Sequence, residues 1–180
     1  MLQITIPAGE EWDEVNDMFV PHKEQVLRLE HSLVSLSKWE SKWCKPFLKR
    51  ENKTLEESTD YIRCMTLTQN IDPEVYNFIT QDNINLISAY IEAPMTATTF
   101  TRDDKKVTNT EIVTAEIIYY WMITFNIPSE YQTWHLNRLL TLINVCNIKN
   151  QPVKKMSRKE LISRNRSLNA ARRSALNTSG

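Results

Sequence analysis

VLRLEHSLVSLSKWESKW, residues 26–43, changes its hydrophobic period partway along. Leu27, Leu29, His31 and Leu33 fall on one face, with Arg28, Glu30 and Ser32 on the other. That period of two is the pattern of a half-buried strand. From Leu36 the spacing becomes three to four, through Trp39, Trp43 and Phe47, and Pro46 closes a predicted helix. Strand-type sequence precedes this point and helix-type sequence follows it. The fold class read from the switch is α+β and mainly α-helical: a small N-terminal antiparallel β-sheet, a helical core, then a C-terminal basic helix.

Upstream, LQITIP alternates Leu2, Ile4 and Ile6 and stops at Pro7, as a short strand would. A polar, acidic connection is expected next, then the apolar Met18-Phe19-Val20 before Pro21. Downstream, Thr54 and Glu57 have the spacing of a capping box and predict a helix through Tyr61, Ile62, Met65 and Leu67. Asp72-Pro73 opens a short helix carrying Val75, Phe78 and Ile79. Asp82 is read as the cap of another, with Ile84, Ile87 and Ile91 inward and a stop near Pro94. MTATTF (95–100) and KVTNTEIV (106–113) are threonine-rich and read as a hairpin. AEIIYYWMITF is apolar on nearly all sides, so its helix is expected to be the central buried one. A last core helix is expected from Ser129 or Thr133, with Trp134, Leu136, Leu139, Leu140, Ile143 and Cys146 in its stripe. His31 reads as a hydrogen-bonded core residue and His135 as a helix-surface residue.

The formal net charge is zero, but the distribution is uneven. From Lys154 onward there are eight basic residues and one acid, Glu160, so this part is +7 and the remainder is −7. NIKNQPV (147–153) reads as a linker, and Ser157 with Glu160 as another capping box. The chain is therefore divided into a globular α+β domain, 1–150, and a basic linker with a helical tail, 151–180. Leu161, Leu168, Ala171, Ala175 and Leu176 make a thin apolar stripe, and a lone helix of this length is marginal in water.

Catalytic signatures are not found. The two glycines, Gly9 and Gly180, are too few for a phosphate cradle, and no nucleophile elbow is present. The three histidines have no partner at metal-ligand spacing. Cys44, Cys64 and Cys146 are odd in number and far apart, and read as reduced, small apolar fillers. The longest apolar run, Ile117–Phe125, is about half a membrane span. The expectation is a soluble, non-catalytic protein without cofactor, metal or membrane. For the basic end three readings stand: a nucleic-acid arm, a solvated or intramolecularly docked tail, and a helix for a protein partner. It has no aromatic residue to stack on bases, and its small residues allow close approach of another chain, which favours protein contact. Trp39 and Trp43, four apart on one helical face, read first as core packing and otherwise as an aromatic ridge for a partner; as candidate partner-binding residues they stand with Leu161, Arg164, Leu168, Arg172 and Arg173 in the tail.

HSLVSLSKWESKWCKPF (31–47), DYIRCMT (60–66), PMTATTF (94–100), EIIYYWMITFNIPSEYQTWHLNRLLTLINVC (116–146) and RNRSLNAARRSALNTSG (164–180) together resemble a family of tailed bacteriophages, the tail assembly chaperones of siphophages. The likeness runs over nearly the full length, and its motifs are distinctive as strings without an assigned chemistry. The resemblance implies a non-catalytic assembly factor of the host cytoplasm. Such a factor binds the tape-measure protein, keeps it soluble and assists recruitment of the tail-tube protein. Two alternatives stay open: a structural component of the tail or head–tail connector, able to form a homo-oligomer by exchanging arms, and a nucleic-acid-binding regulator.

Overall fold

In β1 (Leu2–Ile6), Ile4 and Ile6 are buried and their neighbours exposed. β4 (Gln25–Leu29) repeats the pattern with Leu27 and Leu29, and the two strands pair antiparallel from Leu2↔Leu29 to Ile6↔Gln25. β2 (Gly9–Asp13) and β3 (Met18–His22) pair from Gly9↔His22 to Asp13↔Met18. Both ladders share one register, so the four strands are a single bent hairpin interrupted at Pro7-Ala8, where Pro7 lacks an N–H. The expected acidic connection is thus itself a strand over Gly9–Asp13. Pro21 is tolerated in β3 because the outer ribbon is only two strands wide. Gly9 is fixed by close approach: a Cβ there would stand 2.7 Å from His22 Nε2. The His22 ring in turn stacks on Phe78 at 3.8 Å.

The computed structural model describes residues 1–13, 17–49, 51–100, 112–151 and 158–176. Its architecture is α+β and mainly helical, with the antiparallel strands first and the helices after them. The chain divides into two units, Met1–Asn147 and Ile148–Gly180.

The switch from strand to helix comes earlier than the alternation predicts. β4 ends at Leu29, and α1 (Leu33–Trp43) begins at once because Ser32 caps it, exchanging hydrogen bonds with Ser35. His31 and Leu33 are buried as the alternation requires, but as connection and first helical residue. α1 stops at Cys44, which adopts left-handed backbone at φ 52° and donates to the Glu40 carbonyl. α2 (Leu55–Met65) has the expected Thr54–Glu57 capping box, with both bonds formed. Leu67 lies beyond the helix end and is exposed; its N–H donates to the Arg28 carbonyl. Pro73–Phe78 is a 3₁₀ segment capped by Asp72. α3 (Gln81–Glu92) is capped by Thr80 rather than Asp82.

Residues 95–100 and 112–113 form no strand, and 101–111, the rest of the expected hairpin, lie outside the described residues. α4 (Ala115–Thr124) buries Ala115, Ile118 and Met122 but leaves Tyr120 65% and Ile123 76% exposed. It is a wall of the core and not its centre: a run that is apolar on all sides carries no information about which face is covered. The last core helix begins later than expected. Ser129–Thr133 is a second 3₁₀ segment, and α5 (Leu136–Asn150) follows, continuing through residues 147–150 that read as linker. α6 (Arg158–Leu176) is the basic helix; Ser157 of its expected capping box lies outside the described residues.

The first unit contains two apolar clusters. One gathers Ile4, Ile6, Leu27, Leu29, Trp39, Tyr61, Met65 and Ile87 between the hairpin, α1, α2 and α3. The other gathers Leu33, Leu36, Ala115, Ile118, Met122, Leu136, Leu139 and Ile143 between α1, α4 and α5. α1 serves both, its first two turns facing one and Trp39 the other. Buried Glu40 joins them: Oε1 accepts from the Phe47 N–H and Oε2 from the Ala115 N–H, each at 2.7 Å. The second bond does the work of a cap for α4, since Thr114 makes no side-chain capping bond.

Candidate partner-binding site

The two indoles, readable as core packing or as a partner-binding ridge, serve the interior. Trp39 is 1% exposed and donates from Nε1 to the Glu57 carbonyl at 2.8 Å. Trp43 is half-buried, stacks on Trp39 at 6.1 Å and donates to Asp60 Oδ2. Lys42 pairs with the same carboxylate at 2.5 Å and Lys45 with Glu57 at 2.6 Å, tying α1 and its C-terminal turn to α2. Trp39 therefore offers no surface to a partner, and only part of the Trp43 ring is open. Four-residue spacing put both rings on one face; it could not say that α2 already covers that face.

α6 is different. Leu161, Leu168, Arg164, Arg172 and Arg173 are all exposed. So are Ile162 and Leu176, giving the helix four open aliphatic side chains among its cations.

A second surface was not anticipated from sequence. α2 and α3 flank a groove of about 260 Å³ with Phe47 and Tyr61 among its lining. Ser58 and Ile62 line it from α2, and Leu55, 79% exposed, lies one turn before Ser58 on the same helical face. Ile84, Ile87 and Ile91 line it from α3. Lys53 reaches over the Phe47 ring at 4.3 Å, and none of the ion pairs among the described residues involves it. The sequence placed the three isoleucines on one face of a helix. It carried no sign that α2 and α3 would stand apart above Phe47.

A buried polar joint lies between the two apolar clusters. His31 is 2% exposed, and its Nδ1 shares a 2.6 Å hydrogen bond with the Tyr61 hydroxyl. His135 is also buried, contrary to the surface position expected for it, because it precedes α5 and turns inward against Tyr90. Its Nε2–H donates to the Tyr90 carbonyl at 3.0 Å, which leaves Nδ1 buried without a partner. The two imidazoles meet edge to face at 5.1 Å. Tyr90 donates its hydroxyl to Glu30 Oε1 at 2.6 Å, and Glu30 Oε2 accepts from the Met1 amine. Burial and the neighbouring His135 lower the His31 pKa to about 4, and burial likewise lowers that of His135. Both rings are thus held neutral near pH 7.

Among the described residues no group of three or more His, Cys, Asp or Glu side chains is placed to hold a metal ion. No helix among them is long and apolar enough to cross a membrane. Cys44 is exposed, not a filler, and Cys64 and Cys146 are half-buried. No protein-family model, curated protein or solved structure matches the chain.

Proposed function

We propose that the protein is a non-catalytic assembly factor that holds another polypeptide in solution, and specifically a phage tail assembly chaperone acting on the tape-measure protein in the host cytoplasm. The observation that supports the binding role is α6. A 19-residue helix with Leu161, Ile162, Leu168 and Leu176 all exposed keeps apolar area in water that a partner helix would cover. Its arginines keep such a surface soluble and pair with carboxylates of whatever docks there. The identity of the partner comes from the sequence resemblance, which implies the tape-measure protein and, through it, the tail-tube protein.

Co-expression with the tape-measure protein of the same phage tests this. The full chain is expected to hold it soluble and to co-purify with it, and the variant Leu161→Asp/Leu168→Asp to lose both effects. No gain in solubility with the unaltered chain would remove the reading. Abundant peptides of this protein in purified virions would replace it with a structural tail component. A DNA mobility shift that persists at physiological salt would replace it with a nucleic-acid binder.

A further inference from the structure

We infer that the α2–α3 groove is a docking site for an amphipathic helix of the partner, which seats aliphatic side chains between the two helices and meets Lys53 with a carboxylate. The inference extends the reading of this protein as a holder of helical chains, and it concerns a surface of the first unit, separate from α6.

Length, chemistry and charge each point to that occupant. On α2 the lining runs from Ser58 to Ile62, with exposed Leu55 one turn before it, and on α3 from Ile84 to Ile91, two helical turns or roughly 10 Å. That is the span of anchors at i, i+4 and i+7 on one face of a helix. A volume of about 260 Å³ accepts side chains of leucine size and not a large folded element. The lining is aliphatic and aromatic apart from Lys53 and two serines, Ser58 and Ser88, so affinity comes from apolar burial. Lys53 is the one cation of the lining, and its ammonium stands over the Phe47 ring. A carboxylate on the rim of the incoming helix would complete that arrangement, whereas a cation there would be repelled. Leu55 adds exposed aliphatic surface beside the groove on the same helical face.

The test uses the full chain with labelled isoleucine δ1 methyls and two synthetic helices of roughly sixteen residues. Both carry leucines at i, i+4 and i+7; one is flanked by glutamates, its twin by lysines. The glutamate peptide is expected to shift the methyls of Ile62, Ile84 and Ile91 and to bind about tenfold or more tightly than its twin. Lys53→Glu is expected to reverse that preference. Ser88→Trp, which fills the groove from an exposed position, is expected to abolish the shifts while methyl dispersion stays native. Several results overturn the inference: no groove methyl moves with either peptide, both bind equally, or only Ile162 in α6 responds. Decanoate alone moving the same three methyls at no weaker affinity would also overturn it, assigning the groove to acyl chains. Because the peptides replace the tape-measure protein, a failure here is separate from a failure of co-expression.

Discussion

Replacing Glu40 should cost more stability than any other single carboxylate change in the described residues. Its two oxygens accept backbone N–H groups from Phe47, seven residues on, and Ala115, 75 residues on, each at 2.7 Å. A hydrogen bond to a charged acceptor contributes about 1.5–3 kcal/mol, and an N–H left buried without a partner costs a similar amount. Glu40→Ala orphans both donors and leaves a void. Removing the charge returns part of its desolvation cost, so the net loss is about 3–5 kcal/mol. That is a large fraction of the roughly 5–15 kcal/mol that keeps a domain folded, and on the order of 10 °C in Tm. Glu40→Gln keeps one acceptor oxygen but presents an NH₂ to the other N–H, so it should lie between, at about 2 kcal/mol. Urea denaturation followed by tryptophan fluorescence measures both, with Glu56→Gln at an exposed position as the control expected within about 0.5 kcal/mol of the unaltered protein. A Glu40→Ala loss below about 1 kcal/mol would refute the claim that this carboxylate joins the two clusters.

The histidine joint predicts acid lability. The His31 pKa is lower in the fold than in the unfolded chain, so the unfolded state binds the extra proton. Stability is complete above about pH 6.5 and is lost as pH falls towards 4; at pH 5 His31 alone accounts for about 2 kcal/mol. Urea midpoints at pH 7 and pH 5 should differ accordingly, and the difference should shrink in His31→Gln; equal midpoints in the unaltered protein would contradict the joint. Cys44→Gly should stabilise by about 0.5–1 kcal/mol, because left-handed backbone costs glycine least and the exposed thiol contributes little packing. Calorimetry reads the rise in Tm, and a fall would contradict it. Trp39→Phe should cost about 2–3 kcal/mol through a lost buried bond and lost volume, and Trp43→Phe about 1 kcal/mol; the reverse order in denaturant titrations would place the wrong indole in the core.

Local chemistry was legible where the relevant partners are neighbours in sequence. The capping box at Thr54, the alternation of Ile4 and Ile6, and the paired face of Leu27 and Leu29 involve residues within a turn or a pleat of one another. What stayed hidden depends on partners far along the chain. Nothing beside His135 indicates that Tyr90 and His31 will enclose it. Nothing in Trp39-x-x-x-Trp43 indicates that α2 will cover the first ring. Pattern also fails where it is saturated: AEIIYYWMITF has no polar face to mark the exposed side, so Tyr120 and Ile123 could not be placed. The groove was illegible for a related reason, since it is a separation between α2 and α3 and not a property of either.

The long-range polar bonds of the first unit explain where binding capacity remains. Asn83 donates to the Thr5 carbonyl, Asn137 to those of Ile91 and Ala93, and Glu40 and His135 reach across in the same way. Each fixes a helix or its start against a distant segment through a backbone group of that segment. Besides these ties, two surfaces present apolar side chains. The aliphatic lining of the α2–α3 groove beneath Lys53 is one, and the leucines of α6 among their arginines are the other. The exposed members of those surfaces, Leu55 and Ser88 beside the groove and Leu161 and Leu168 on α6, can change without loss of the fold, because none of the bonds above passes through them. The same separation makes the binding reading testable by mutation. Substitutions at Ser88, Lys53, Leu161 or Leu168 should alter capture of a partner while the denaturation midpoint stays near that of the unaltered protein. Substitutions at Glu40 or Trp39 should lower the midpoint first and reduce capture only as a consequence of unfolding.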